Sequence, residues 1–170
     1  MPKADGKLIR VRFLPNLHTY GGRLISYAAG QPIHGACDIR KRFIVLDSGL
    51  QQQPSELRRI LVHEVFHFAW ANLGNPTRKS WELLIEAEWE QQARGELGWS
   101  SEYRKATLRP IPVAERNPRL WRNYLSESFC DTAAWLYANV GAHSEFTLAP
   151  RFAKARAAWF QTLQSRTLSL

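Results

Sequence analysis

The stretch Ile60-Leu61-Val62-His63-Glu64-Val65-Phe66-His67-Phe68-Ala69-Trp70 sets three ionisable side chains inside an apolar run. A helix with that pattern is apolar nearly all round, so it must lie at the centre of the molecule with other elements packed about it. Pro54 or Ser55 can open it, Gly74 can close it, and Pro76 forbids its continuation. His63 and His67, four residues apart, stand one turn above each other, and both imidazoles can reach one ion. Glu64 sits about 100° round the helix. There it can touch a water on that ion without being a ligand. Burying these groups is costly unless something satisfies them. A zinc ion would, with the histidines as ligands and Glu64 as general base. The plainer alternative is a pair of core histidines bonded to backbone carbonyls.

At 170 residues, 45% hydrophobic, with seven Trp and eight Phe, the chain can build one good core, which sets the expectation of a single domain over residues 1–170. Cys37 and Cys130 make no disulfide framework, and reduced thiols in a cytoplasmic protein are the simpler reading. The start, Met1-Pro-Lys-Ala-Asp-Gly-Lys, leads into no secretory apolar segment. No run approaches the ~20 apolar residues of a membrane span. The expectation is a cytoplasmic protein with no membrane partner. The net charge of +8 invites a nucleic-acid partner. Yet the basic residues are scattered, from Arg40-Lys41-Arg42 to Arg156, with no basic tail and no zinc-finger or RNA-binding signature. They read as a basic surface, with nucleic acid left as a partner that no motif supports.

Residues 7–14 (KLIRVRFL) alternate apolar and basic side chains, the period of a half-buried strand. Residues 23–27, 33–37 and 43–46 are further β-like stretches between glycine-rich turns. The first third is therefore expected to form a small twisted, mainly antiparallel sheet. Helices follow. A second is predicted over 79–94, with Ser80 as N-cap and Gly95 as stop. Residues 95–119 carry glycines, prolines and five basic residues without sustained periodicity, and read as a long loop with at most one short helix, either a cover for the cleft or a plain connector. A third long helix is predicted over 119–139. A last amphipathic one spans 150–165, with Phe152, Ala155, Trp159 and Leu163 on its inner stripe and Arg151, Lys154 and Arg156 mostly off it. Strands first and helices after make an α+β fold, a small N-terminal sheet followed by a helical half that carries the His63–His67 helix.

Two histidines leave a tetrahedral zinc short of a third protein ligand, with a fourth place for water. Candidates are Glu82, Glu86, Glu88 and Glu90 on the second helix, Glu127 and Asp131 on the third, and His18, His34 and His143. Glu127 and Asp131 are four apart, hence on one face of a mostly apolar helix. Glu127 as ligand, with Asp131 accepting a hydrogen bond from the other nitrogen of a ligating imidazole, would satisfy both. Glu86 and Glu90 share the same spacing, but Glu82, Glu86 and Glu90 recur every four residues, as on a solvated face. His18, and His34 three before Cys37, are weak signals. Cys130 and the tryptophans read as core.

HEVFH followed by ESFCD resembles the gluzincin branch of the zincin metallopeptidases. That resemblance covers two short motifs within residues 54–139. It implies a minimal zincin-like metalloprotease fold, zinc as cofactor, His63, His67 and Glu127 as ligands, Glu64 as general base, and Asp131 supporting a ligand. The spacing departs from the branch, since Glu127 follows His67 by 60 positions with a glutamate-rich helix between them. The resemblance also implies a strand beside the active-site helix, to whose free edge a peptide substrate adds, and Arg42–Asp47 is the natural candidate. Tyr124, three residues before Glu127, is the first choice for stabilising the oxyanion, with His143 and Tyr137 behind it. The function expected is hydrolysis of a protein or peptide. A zincin-like regulatory or DNA-associated module that cleaves little or nothing is the alternative, and a helical binding domain without metal is the third.

Overall fold

The computed structural model describes residues 1–112, 115–164 and 167–170. It is an α+β fold with its strands mostly at the N-terminal end and five helices after them among the described residues. The strands form three small sheets rather than one. β2 (Arg10–Leu14), β7 (Phe43–Asp47) and β6 (Gly35–Asp38) make the sheet that packs on the first helix, in the order β2-β7-β6. β7 runs parallel to β2 and antiparallel to β6. Outside it, β3 (His18–Tyr20) pairs with β4 (Arg23–Ile25) and β5 (Gln31–Pro32). β1 (Ala4–Asp5) pairs in parallel with β8 (Leu168–Ser169), which ties the two ends of the chain together.

The expected mainly antiparallel sheet is thus corrected in one respect that matters for the site. β7 is the middle strand and has no free edge; β6 is the edge strand. Side-chain alternation reports which face of a strand is buried. The direction of its neighbours is set by the route of the chain between them.

Helix α1 (Pro54–Asn72) starts with Pro54 in its first turn, as the sequence suggested. Its inner face packs Phe68, Leu57, Ile60 and Leu61 against Ile44, Leu46 and Leu50. Helix α2 (Asn75–Glu90) begins four residues earlier than predicted, because Pro76 opens it as well as ending α1. Ser80 therefore lies inside α2, where its hydroxyl donates to the Thr77 carbonyl at 2.8 Å.

Residues 95–119 hold a full helix, α3 (Trp99–Leu108). Its buried positions are Ser101, Lys105 and Leu108, a helical spacing with polar residues at two of the three places. Hydrophobic periodicity could not reveal it. Helix α4 (Pro118–Tyr137) is capped by Asn117, whose side chain accepts from the Arg119 amide at 2.8 Å. It packs against α1 and α3 through the middle of the molecule. Phe129 is fully buried there against the rings of Phe160 (4.9 Å), Trp70 (5.2 Å), Trp81 (5.8 Å) and Phe66 (5.9 Å).

Helix α5 (Pro150–Gln161) ends four residues early and turns an unexpected side chain inward. Arg156 is fully buried. It stands on the stripe of Phe152 and Phe160, and its guanidinium is bound by Glu88 of α2 (Nη2 to Oε2, 2.7 Å) and by Glu96 (Nη1 to Oε2, 2.7 Å). Glu96 also receives Lys105 Nζ at 2.8 Å and the Tyr124 hydroxyl at 2.5 Å. Two buried cations thus face two buried carboxylates, and α2, α3, α4 and α5 are joined through them. No described helix is long and apolar enough to cross a membrane.

Candidate metal centre

α1 carries His63 and His67 on the side facing α4, and α4 carries Glu127 to meet them. His63 Nε2 and His67 Nε2 stand 3.1 Å apart, and Glu127 Oε2 lies 3.3 Å from the first and 3.7 Å from the second. The α-helical repeat places the two imidazoles together, and the crossing of α1 with α4 brings in the carboxylate. Glu86 is not part of this group. It stays on the outer face of α2, with Lys79 Nζ 3.9 Å from its carboxylate.

The remaining atoms of these side chains are fixed by neighbours. His63 Nδ1–H donates to Asp131 Oδ1 at 2.7 Å. Asp131 Oδ2 in turn accepts from the backbone N–H and the hydroxyl of Ser101, at 2.9 and 2.7 Å. Ser101 is in the first turn of α3, so the positive end of that helix faces the Asp131 charge. Gly98 precedes the helix, and a Cβ there would collide with the Asp131 carboxylate. Arg104, one turn further along α3, holds Glu127 Oε1 at 2.9 Å and leaves Oε2 to the imidazoles. Ser126 Oγ lies 3.4 Å from His67 Nδ1.

The protonation of the cluster follows from this geometry. Burial alone would lower the pKa of His63, but the charge and hydrogen bond of Asp131 outweigh it, and His63 is held well above its ordinary value. Burial, and then the charge on His63, push His67 down to about 4. Burial would raise Glu127, yet the His63 hydrogen bond and the charges of His67, His63 and Arg104 hold it down to about 2. Raised in this way, His63 carries an Nε2 proton that faces His67 Nε2 and Glu127; once that proton is given up, two Nε2 lone pairs and a carboxylate oxygen converge and can hold a cation between them. A proton on His63 can serve one pair at a time, whereas a divalent ion satisfies all three. Two imidazoles and a carboxylate are a donor set that suits zinc.

Glu64 lies beside the cluster at 6% exposure. Burial raises its pKa; the His63 charge and a hydrogen bond from Cys37 only partly offset this. It faces a cleft of about 500 Å³ whose walls include the segment leading into β6, Arg59 and Ile60 of α1, and Trp99 at the start of α3. Arg59 is held at one end of the cleft by Glu56 at 2.7 Å and by Glu145 at 2.8 Å. Glu145 also accepts the Trp99 amide.

Tyr124 does not reach this cleft. Three residues before Glu127, it projects over the preceding turn of α4. There its ring packs on Trp121 (5.5 Å) and Trp89 (5.8 Å), and its hydroxyl is committed to Glu96. Its assignment as oxyanion donor is corrected on that ground. His143 is bound to Glu56 at 2.7 Å, and Tyr137 stacks on Phe66 in the core. His18 is bonded to the Asn16 carbonyl at 2.9 Å, among the outer strands. Sequence reasoning missed Ser101, Arg104 and Gly98, because α3 was not recognised. It also set aside Cys37, whose sulfur lies beside Glu64 and His67. The pattern Gly98-Trp99-Ser100-Ser101-Glu102, a small residue followed by serines and an acid, is the helix-start signal that could have found the first three.

Comparison with family models, with curated proteins and with solved structures finds no match to this chain.

Proposed function

We propose that this protein is a zinc-dependent metallopeptidase whose ligands are His63, His67 and Glu127. The observation that carries this reading is the convergence of two Nε2 atoms and one carboxylate oxygen within 3.7 Å, with the carboxylate of Glu64 alongside and a cleft in front. A bound zinc ion supplies a Lewis acid for the scissile carbonyl and a water acidic enough to attack near neutral pH.

Each protein group then has a task its surroundings suit. Asp131 fixes the His63 tautomer so that Nε2 is free to ligate, and Ser101 and the α3 terminus fix Asp131. Arg104 turns Glu127 so that one oxygen is presented. Glu64 accepts the proton of the attacking water and returns it to the leaving amine; its burial makes it a stronger base than an exposed carboxylate. Gly35, the first residue of edge strand β6, lines the cleft, and an extended peptide can add to the unpaired side of that strand through main-chain hydrogen bonds. β6 takes the place that Arg42–Asp47 held in the sequence reading.

Elemental analysis of the purified protein should return about one zinc per chain. Glu64→Gln should keep the metal and lose at least ~100-fold in cleavage of a denatured protein substrate. Equal cleavage by both proteins would end the peptidase reading.

A further inference from the structure

Cys37 sits near the middle of edge strand β6, paired in register with Ile44 of β7. Its Sγ, a carboxylate oxygen of Glu64 and a ring nitrogen of His67 all lie within 4.8 Å of one another. This is a second group of ligand-type side chains, and it shares His67 with the His63–His67–Glu127 group.

The approach of β6 to α1 is tight and built into the backbone. Gly35 lies two residues before Cys37, and a Cβ added there would stand 2.9 Å from Ile60 Cγ2 and 3.1 Å from Glu64 Oε1. The absence of a side chain at position 35 lets the strand lie against the helix, and so brings the sulfur to the metal-binding face. Cys130 has no such place: it is fully buried in the core, and it belongs to neither ligand group.

We propose that Cys37 is a fourth protein ligand of the zinc, supplied by the edge strand, which occupies the water position and keeps the resting enzyme latent. This rests on the metallopeptidase reading above. Three imidazole and carboxylate ligands leave a fourth position, and thiolate sulfur is a preferred zinc donor, at a bond length of about 2.3 Å. The chemistry balances without a further reactant. The S–H bond of Cys37 breaks, its proton passes to the Glu64 carboxylate, the sulfur binds the ion, and a water leaves. No atom changes oxidation state. With the sulfur in the water position, no water is left there for Glu64 to activate. Cleavage then requires the sulfur to leave the ion, and a peptide seated along β6 is placed to move it.

The test uses the full chain loaded with cobalt(II) in place of zinc under reducing conditions, read by absorption spectroscopy. The expected spectrum has visible ligand-field bands and a near-ultraviolet sulfur-to-cobalt charge-transfer band. Cys37→Ala should lose the near-ultraviolet band and keep the visible ones; Cys130→Ala should keep both. Cleavage of denatured protein by zinc-loaded Cys37→Ala should exceed that of the unaltered protein several-fold. Should the alanine variant fail to fold, Cys37→Ser keeps the size of the side chain and should show the same spectral loss. Visible bands without a charge-transfer band in the unaltered protein would overturn Cys37 ligation and leave the other three ligands standing. A charge-transfer band that survives in Cys37→Ala would overturn it too. A Cys37→Ala protein no more active than the unaltered one would overturn the latency. An absence of all cobalt bands would overturn the metal centre itself, and this proposal with it.

Discussion

Replacing Arg156 by methionine keeps most of the side-chain volume and removes one charge from the middle of the molecule. The guanidinium is fully buried and bidentate to Glu88, with Nε to Oε1 at 3.0 Å and Nη2 to Oε2 at 2.7 Å, and it also holds Glu96. In the variant, Lys105 remains on Glu96, while Glu88 loses both of these bonds. Breaking a buried pair in this way costs about 3–5 kcal/mol.

Glu96 carries part of this cost, shared between Arg156 and Lys105. Burial would raise the pKa of Glu96, but Arg156 and then Lys105 hold it down to about 2, against an ordinary value of 4.5. That difference corresponds to about 3 kcal/mol. Because the folded pKa is depressed, this stabilisation is complete above about pH 4.5 and is lost as the pH falls towards 2. In a chain of this size the melting temperature of Arg156→Met should drop by roughly 10 °C at pH 7. The acid limb of its stability curve should also flatten, since Glu96 keeps only one cation. Thermal unfolding by circular dichroism across pH 2–7 reads both effects. The double variant Glu88→Gln, Arg156→Met should recover part of the loss, because a buried carboxylate without its cation is no longer present. A single variant that melts within about 2 °C of the unaltered protein would show that the buried network contributes little, and would refute the reasoning.

Asp131→Asn should weaken metal binding about 10- to 100-fold, read by competition with a chelator, since an amide is a weaker acceptor for the His63 N–H. Gly98→Ala should also weaken it although position 98 is no ligand, because the new Cβ must displace the Asp131 carboxylate; unchanged zinc affinity would argue against α3 as the support of His63.

Much of the candidate centre could be read before folding. His63, Glu64 and His67 fall on one helix, and Glu127 and Asp131 on another, at spacings that the α-helical repeat converts directly into shared faces. The order of strands before helices is likewise a property of local periodicity. The helix in residues 95–119 and the inward turn of Arg156 escaped for a shared reason. Periodicity detects a buried face only where that face is apolar. Ser101 and Lys105 on α3, and Arg156 on α5, are polar residues at buried positions, satisfied by partners on other elements. By apolar periodicity alone, residues 95–119 allow one short helix at most, and Arg156 falls off the inner stripe of its helix.

The amino-acid order by itself determined that two imidazoles and a carboxylate would ride together on a central helix, and that a pair of carboxylates would ride together on a later one. Only the folded chain decided that Glu127 rather than Glu86 meets the imidazoles, that Asp131 is held by α3, and that β6 rather than β7 forms the edge beside Glu64. It also decided that Tyr124 turns away to Glu96 while Cys37 approaches. Spacing along one helix is a local quantity, fixed by backbone geometry. Which helix or strand a residue meets across space depends on the packing of the entire core, and no short stretch of sequence contains that.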